Sequence, residues 1–276
     1  MSRRSVFVAA PASFVARRTN AAPAPSVDDA LRLFNSGDYD SSRAEWEKLL
    51  QAEPESALYL SNLGTCELIV ASAGAKLGEA PRGAVATLLA AAVLHLGKAA
   101  DVEGDPLTTN NLGNAFAVLL DWPAAATAYD RSAAAAAVSR TGRGFQSIPL
   151  SNRAQVALEL GDAVDAEKRI VNLLRRDPNF VDGRALLAAV RWSRGDTNGA
   201  EEAFSALCRP AIAAPNGFNK PIQGLGGSDW CELYSKDAST VQGRWTPKSI
   251  AAFEAFTSAR KPGARVLADS REDFGR

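Results

Sequence analysis

Residues 161–178 read GDAVDAEKRIVNLLRRDP, and residues 195–210 read GDTNGAEEAFSALCRP. Each stretch opens on Gly-Asp, carries a small residue five positions after the glycine (Ala166, Ala200) and a large apolar one nine positions after it (Ile170, Phe204). The steps from Gly161 to Gly195, from Ala166 to Ala200 and from Ile170 to Phe204 are all 34 residues. GDYDSSRAEWEKLLQAEP, from Gly37, fits the same frame with Ser42 and Trp46. A fixed step of this size marks a repeated helix–turn–helix unit that must stack on its neighbours to bury its apolar face.

Working outward, Leu63-Gly64 and Leu112-Gly113 stand at matching places on the first helices of two further units. Ala125 and Tyr129 repeat the small and large positions, and Pro54 and Pro178, each after an acidic residue, stand where a second helix should stop. With these motifs, residues 26–210 resemble the tetratricopeptide repeat family over most of their length. The resemblance implies an all-α, right-handed superhelix over residues 26–214, an α-solenoid of about five helix pairs, that binds other proteins or extended peptide segments. The units fall near 26–56, 57–105, 106–146, 147–180 and 181–214. The second and third exceed the repeat step, and the excess is expected between Ala71 and Pro81 and between Ser139 and Gln146, where Gly, Pro and Ser mark loops.

Residues 110–130, NNLGNAFAVLLDWPAAATAYD, place three asparagines and a glycine in a helix, against local propensity. Gly113 and Gly64 are expected to let two helices cross closely, with Trp46, Tyr129, Ile170 and Phe204 filling the space between paired helices. Asn62, Asn111 and Asn152 share the sixth position of their units, and Asn114 and Gln155 lie three residues further on. An amide offers donors and an acceptor to the backbone of an extended peptide, so these five residues form a candidate groove ladder; hydrogen bonding within or between repeats is the alternative. Arg184, Arg191 and Arg194 share one helix. They are expected to be snorkelling or salt-bridged, with Glu201 or Glu202 as partners, or to capture an acidic partner tail, in which case Arg184 joins the groove.

The chain has 276 residues with 31 basic and 31 acidic groups, but no acid precedes Asp28, whereas Arg3, Arg4, Arg17 and Arg18 all do. Without residues 1–27, 27 basic groups face 31 acidic ones, a net charge of −4. That balance argues against nucleic acid as a partner. Residues 1–25, rich in Arg, Ser and Ala, have the composition of an organelle transit peptide, expected to be disordered; a secretory or twin-arginine signal and an untargeted tail are the alternatives. No stretch reaches the roughly 18 to 20 apolar residues of a transmembrane segment. The nearest is GAVATLLAAAVLHLG, residues 83–97, which reads as a buried solenoid helix or, alternatively, a membrane contact.

Residues 215–243 are rich in Pro, Gly and Asn and read as an irregular linker, and Gly-Leu-Gly-Gly within them follows no strand and makes a poor dinucleotide motif. Residues 244–262 read as an amphipathic capping helix with Ile250, Phe253, Ala255 and Phe256 on one stripe, and residues 263–276 as a disordered tail. Asp229-Trp230 followed by Arg244-Trp245-Thr246-Pro247 is similar to the end of some plastid-targeted tetratricopeptide proteins of plants and algae, with Thr246 in place of a proline. That likeness implies a plastid, with the mitochondrion as alternative, and a part in assembling or maintaining a photosynthetic complex. A fixed structural subunit and an RNA-binding helical repeat are the rival functions.

His95 is the single histidine, and Cys66, Cys208 and Cys231 are too widely spaced for a zinc site or a disulfide framework. With no nucleophile, Walker or paired-carboxylate motif, the sequence predicts no enzyme, no metal, no cofactor and no small-molecule substrate.

Overall fold

The computed structural model describes residues 25–139, 143–207, 233–234 and 241–260; the leader, most of the predicted linker and the last residues lie outside them. Among the described residues are eleven α-helices, one 3₁₀ turn (Arg143–Phe145) and no strand. The helices are α1 (Val27–Asn35), α2 (Tyr39–Ala52), α3 (Ala57–Gly74), α4 (Gly83–Glu103), α5 (Pro106–Val118), α6 (Trp122–Val138), α7 (Ser147–Glu159), α8 (Ala163–Arg176), α9 (Val181–Ser193), α10 (Thr197–Ser205) and α11 (Pro247–Ala259). α1 with α2, α3 with α4, α5 with α6 and α9 with α10 pack as helix hairpins, so the fold is all-α and of the solenoid type. The chain forms two compact units, Met1–Pro149 and Leu150–Arg276, with α7 starting just ahead of the boundary.

One local device makes four of the hairpins. Gly37, Gly161 and Gly195 take left-handed backbone with φ of 82°, 87° and 79°, which a side chain would oppose. The aspartate that follows (Asp38, Asp162, Asp196) then caps the next helix, its side chain accepting from the N–H of Ser41, Asp165 or Gly199. Its own N–H closes the previous helix on the carbonyl five residues back, Leu33, Ala157 or Arg191. Leu120-Asp121 builds the same turn without glycine. Leu120 adopts φ of 63°, Asp121 caps α6 through the Ala124 N–H, and Asp121 N–H reaches Phe116 O. A further Gly-Asp pair, Gly104-Asp105, ends α4 and caps α5 ahead of Pro106.

In the first unit, Ala30, Phe34, Trp46, Leu49, Leu63 and Cys66 form one apolar cluster, and Leu68, Leu89, Leu96, Leu112, Ala115 and Ala128 lie in another. Trp46 is fully buried as expected. A Cβ on Gly64 would lie 2.7 Å from Leu96 Cγ, and one on Gly113 would lie 2.6 and 2.7 Å from the Tyr129 ring, so both glycines sit where a second helix crosses closely.

The long second hairpin corrects the expected loop. Residues Ala71–Gly74 are helical, and only 75–82 connect α3 to an α4 of 21 residues, so helix extension accounts for much of the excess. Alanine-rich sequence favours continuing both helices. By length and composition α4 is apolar enough to cross a membrane, contrary to the sequence count. Within this unit it packs on α3 and α5 through Leu89, Ala92, Leu96, Ala99 and Ala100, while Leu94 and Val102 stay exposed.

In the second unit, Ile170, Leu186, Phe204, Phe253 and Phe256 centre a core that also takes Tyr234, Val241 and Trp245. Tyr234 and Val241 fall inside the predicted linker, so that segment contributes to the core, a correction to its reading as irregular chain alone. The predicted capping helix is α11, and it packs on α9.

Candidate functional site

On the first unit, the facing first helices α3 and α5 meet along a polar seam. Ser61 Oγ lies 2.8 Å from Thr108 Oγ1, Asn111 Nδ2 donates to Thr65 Oγ1 at 3.3 Å, and Asn114 Nδ2 lies 3.5 Å from Asn111 Oδ1. Tyr129 OH, from α6, donates to Asn114 Oδ1 at 2.9 Å. Burial raises the Tyr129 phenol well above its ordinary pKa, so it remains a donor. Asn62 turns back on its own helix, donating to Leu58 O at 2.8 Å.

Asn62 and Asn111 are buried, 6% and 2% exposed, so they do not face water, as a groove ladder requires. Their observed bonds are those of the intra- and inter-helix alternative: a buried amide left without partners would cost free energy, and Leu58 and Thr65 supply them. Asn114 remains half-buried, oriented by Tyr129. Also between α3 and α4, Glu67 is 3% exposed and its Oε2 lies 2.8 Å from Nδ1 of His95, which gives the single histidine a structural partner.

Cys66 donates to Ser42 Oγ, which donates to Ala30 O at 2.8 Å. Burial pushes this thiol up to about 11, although the Ser42 bond works against the shift. It is a packed, unreactive thiol at neutral pH. Among the described residues no group of histidines, cysteines and carboxylates could hold a metal ion.

On the second unit, the corresponding face of α7 and α9 carries the chain's own C-terminal segment. Gln155, 2% exposed, accepts the backbone N–H of Thr246 at 2.8 Å through Oε1. Glu159 Oε1 accepts the Lys248 N–H at 2.6 Å, and Lys248 Nζ donates to Glu159 O at 2.6 Å. Asp182, at the start of α9, receives three groups: Arg244 Nη1 at 2.9 Å, Trp245 Nε1 at 3.2 Å and the Tyr234 hydroxyl. Burial and the Asp182 charge push the Tyr234 phenol far up, so it stays protonated. For Arg244, burial works to lower the pKa, but Asp182 and Tyr234 outweigh it and the guanidinium is held above its usual value. Beyond the polar contacts, Phe253 packs 5.3 Å from the Trp245 ring and Phe256 5.7 Å from Trp192. Arg260 stacks 4.2 Å above Phe204 and pairs with Glu201 at 2.7 Å.

Of the remaining candidates, Asn152 lies half-buried on α7. Arg184 donates through Nε and Nη2 to Pro178 O at 2.9 and 2.5 Å, closing the turn between α8 and α9. Arg191 bonds Glu167 at 2.9 Å and approaches Glu202 at 3.5 Å, and Arg194 also bonds Glu167. The expected partner Glu202 is therefore secondary, and Glu201 belongs to Arg260. The sequence reading passed over Glu159, Asp182, Tyr234 and Lys248, and took Thr246 only as the replacement of a proline. The one available signal was the Arg244-Trp245 pair, whose guanidinium and indole both need an acceptor when buried.

No family model matches the chain, and no curated protein matches it. Two crystal structures of MamA do resemble it. One aligns with a TM-score of 0.52 at 18% identity, covering 66% of this chain and 93% of that one. The other aligns with a TM-score of 0.51 at 18% identity, covering 65% and 86%. At that identity the likeness speaks for the fold, and it agrees with the helix-hairpin, tetratricopeptide-type architecture built up from the turns and crossings above.

Proposed function

We propose that this chain is a non-enzymatic, protein- or peptide-binding scaffold, directed to a plastid by residues 1–25, that assists assembly or maintenance of a photosynthetic complex. The observation that supports binding is the Gln155 contact: an amide on a first helix accepts a main-chain N–H from a segment laid across it. A backbone group is common to every sequence, so such a contact gives attachment, and side-chain pockets beside it give selectivity. The likeness to MamA supports the architecture, and the acid-free leader supports import.

Two measurements test the reading. A fluorescent protein fused after Ser26 enters plastids, and purely cytosolic fluorescence refutes the targeting. Affinity purification from that organelle recovers subunits of one complex in substoichiometric amounts; a fixed, stoichiometric place in the mature complex refutes the assembly role. RNA recovery that weakens steeply with salt points instead to a nucleic-acid binder.

A further inference from the structure

We infer that the first-helix face of the second unit is a receptor for an amphipathic helix preceded by an Arg–aromatic pair, and that the chain's own segment 244–260 is its resident ligand. An external helix of this pattern then binds in exchange for the tail. The inference rests on the binding-scaffold reading and names the site and the ligand chemistry.

Three features separate this segment from an ordinary repeat helix. First, the Thr246 side chain accepts no backbone N–H of its own helix, as is also true at the starts of α3, α4 and α9, but here another helix supplies the acceptors. The N–H groups of Thr246 and Lys248, at the start of α11, are taken by Gln155 and Glu159 of α7, so the receptor completes the helix start. The Glu159 carboxylate also stands at the positive end of the α11 dipole. Second, Asp182 gathers the Arg244 guanidinium and the Trp245 indole at the entrance, a recognition geometry that neither group alone supplies. Third, Ile250, Phe253 and Phe256 at helical spacing fill one apolar stripe, the arrangement of a helix lying in a groove. The ligand chemistry is therefore a basic and an aromatic residue, a helix start with free N–H groups, and large apolar side chains at i, i+3 and i+6.

The probe is a fluorescein-labelled peptide of the sequence VQGRWTPKSIAAFEAFTSAR, residues 241–260, titrated into purified full-length protein and read by anisotropy. In the unmodified protein the tethered tail competes at an effective concentration on the order of millimolar, so micromolar peptide shows no saturable binding. Arg244→Ala/Trp245→Ala changes only the resident segment and leaves Gln155, Glu159 and Asp182 in place, and this variant is expected to bind the peptide at least about tenfold more tightly than the unmodified protein. Adding Asp182→Asn and Glu159→Gln to that variant is expected to remove the gain. Far-UV circular dichroism and a urea titration confirm folding. If the double alanine variant is unfolded, Arg244→Gln alone carries the same comparison. A folded tail variant that ignores the peptide overturns the inference, as does equal binding by the unmodified protein or a gain that survives the receptor substitutions. Only purified protein and peptide are used, so this result and the organelle experiments can fail independently.

Discussion

Putting a methyl group on two glycines of the first unit should have opposite effects, and the structure supplies the reason. Gly113 lies on α5 under the ring of Tyr129, with the added Cβ 2.6 Å from Cε1 and 2.7 Å from Cδ1. The ring has little room to retreat, because it is 3% exposed and its hydroxyl is tied to Asn114 Oδ1. Overpacking of this kind costs about 1–3 kcal/mol, against a helix-propensity gain of about 1 kcal/mol for replacing glycine by alanine. Gly113→Ala is therefore expected to destabilise by up to about 2 kcal/mol. Gly97, on α4, has nothing within 4 Å of its added Cβ, so Gly97→Ala keeps only the propensity term and should stabilise by about 0.5–1 kcal/mol. Both residues lie in the unit Met1–Pro149, so urea unfolding followed by far-UV circular dichroism reports both on one transition, provided m is unchanged. Tyr129→Phe releases the hydroxyl tether, and in that background the Gly113→Ala penalty should shrink, a coupling that a double-mutant cycle measures. The close-crossing argument is refuted if both alanines shift stability in the same direction, or if Tyr129→Phe leaves the penalty untouched.

Trp46→Ala and Phe204→Ala each empty a fully buried aromatic site and should cost about 3–5 kcal/mol in urea titrations of the full chain; losses under about 1 kcal/mol at both sites would refute the repeat register. Asn111→Ala removes a buried donor and leaves Thr65 Oγ1 without it, so it should cost about 1–2 kcal/mol of stability, whereas a groove role predicts an unchanged urea midpoint. The Cys66 thiol has a reference value of 9.0 and is raised to about 11 in the fold, so the folded state favours the neutral form and that stability is lost as pH rises from 9 towards 11. The Cys66 share of the loss should reach about 2 kcal/mol at pH 10.5, so in urea titrations Cys66→Ala should lose that much less stability between pH 8 and pH 10.5, the rest of the loss coming from the buried phenols of Tyr129 and Tyr234.

The turns were legible because their causes lie within a few residues. A glycine free to take positive φ, followed by an aspartate able to cap, writes the end of one helix and the start of the next in two letters, and the Gly-Asp frame at Gly37, Gly161 and Gly195 falls on these turns. The frame also held at Asp121, where Leu120 supplies the same backbone at a steric cost and only the neighbouring spacing marks the turn. Length was harder. Glycine and proline between residues 74 and 83 announced a break but not its extent, and the alanines on both sides extended the helices into residues that composition assigns to a loop.

The candidate site was legible in direction and illegible in coverage. Helical spacing placed the asparagines and Gln155 on their first helices, which is a local property. Whether such an amide meets water depends on what else arrives there: Asn111 meets Thr65, 46 residues earlier, and Gln155 meets the Thr246 N–H, 91 residues later. No pattern within one repeat encodes those meetings. Glu159 and Asp182 were passed over for the same reason, since a single carboxylate on a helix reads as a solvated group until Lys248, Arg244 and Trp245 are brought to it. The hydrogen-bonding capacity of an amide is fixed by its chemistry, and the folded chain decides which backbone it holds. For Gln155 that backbone is the chain's own, so any partner using this face must offer the same N–H and outcompete a tethered rival.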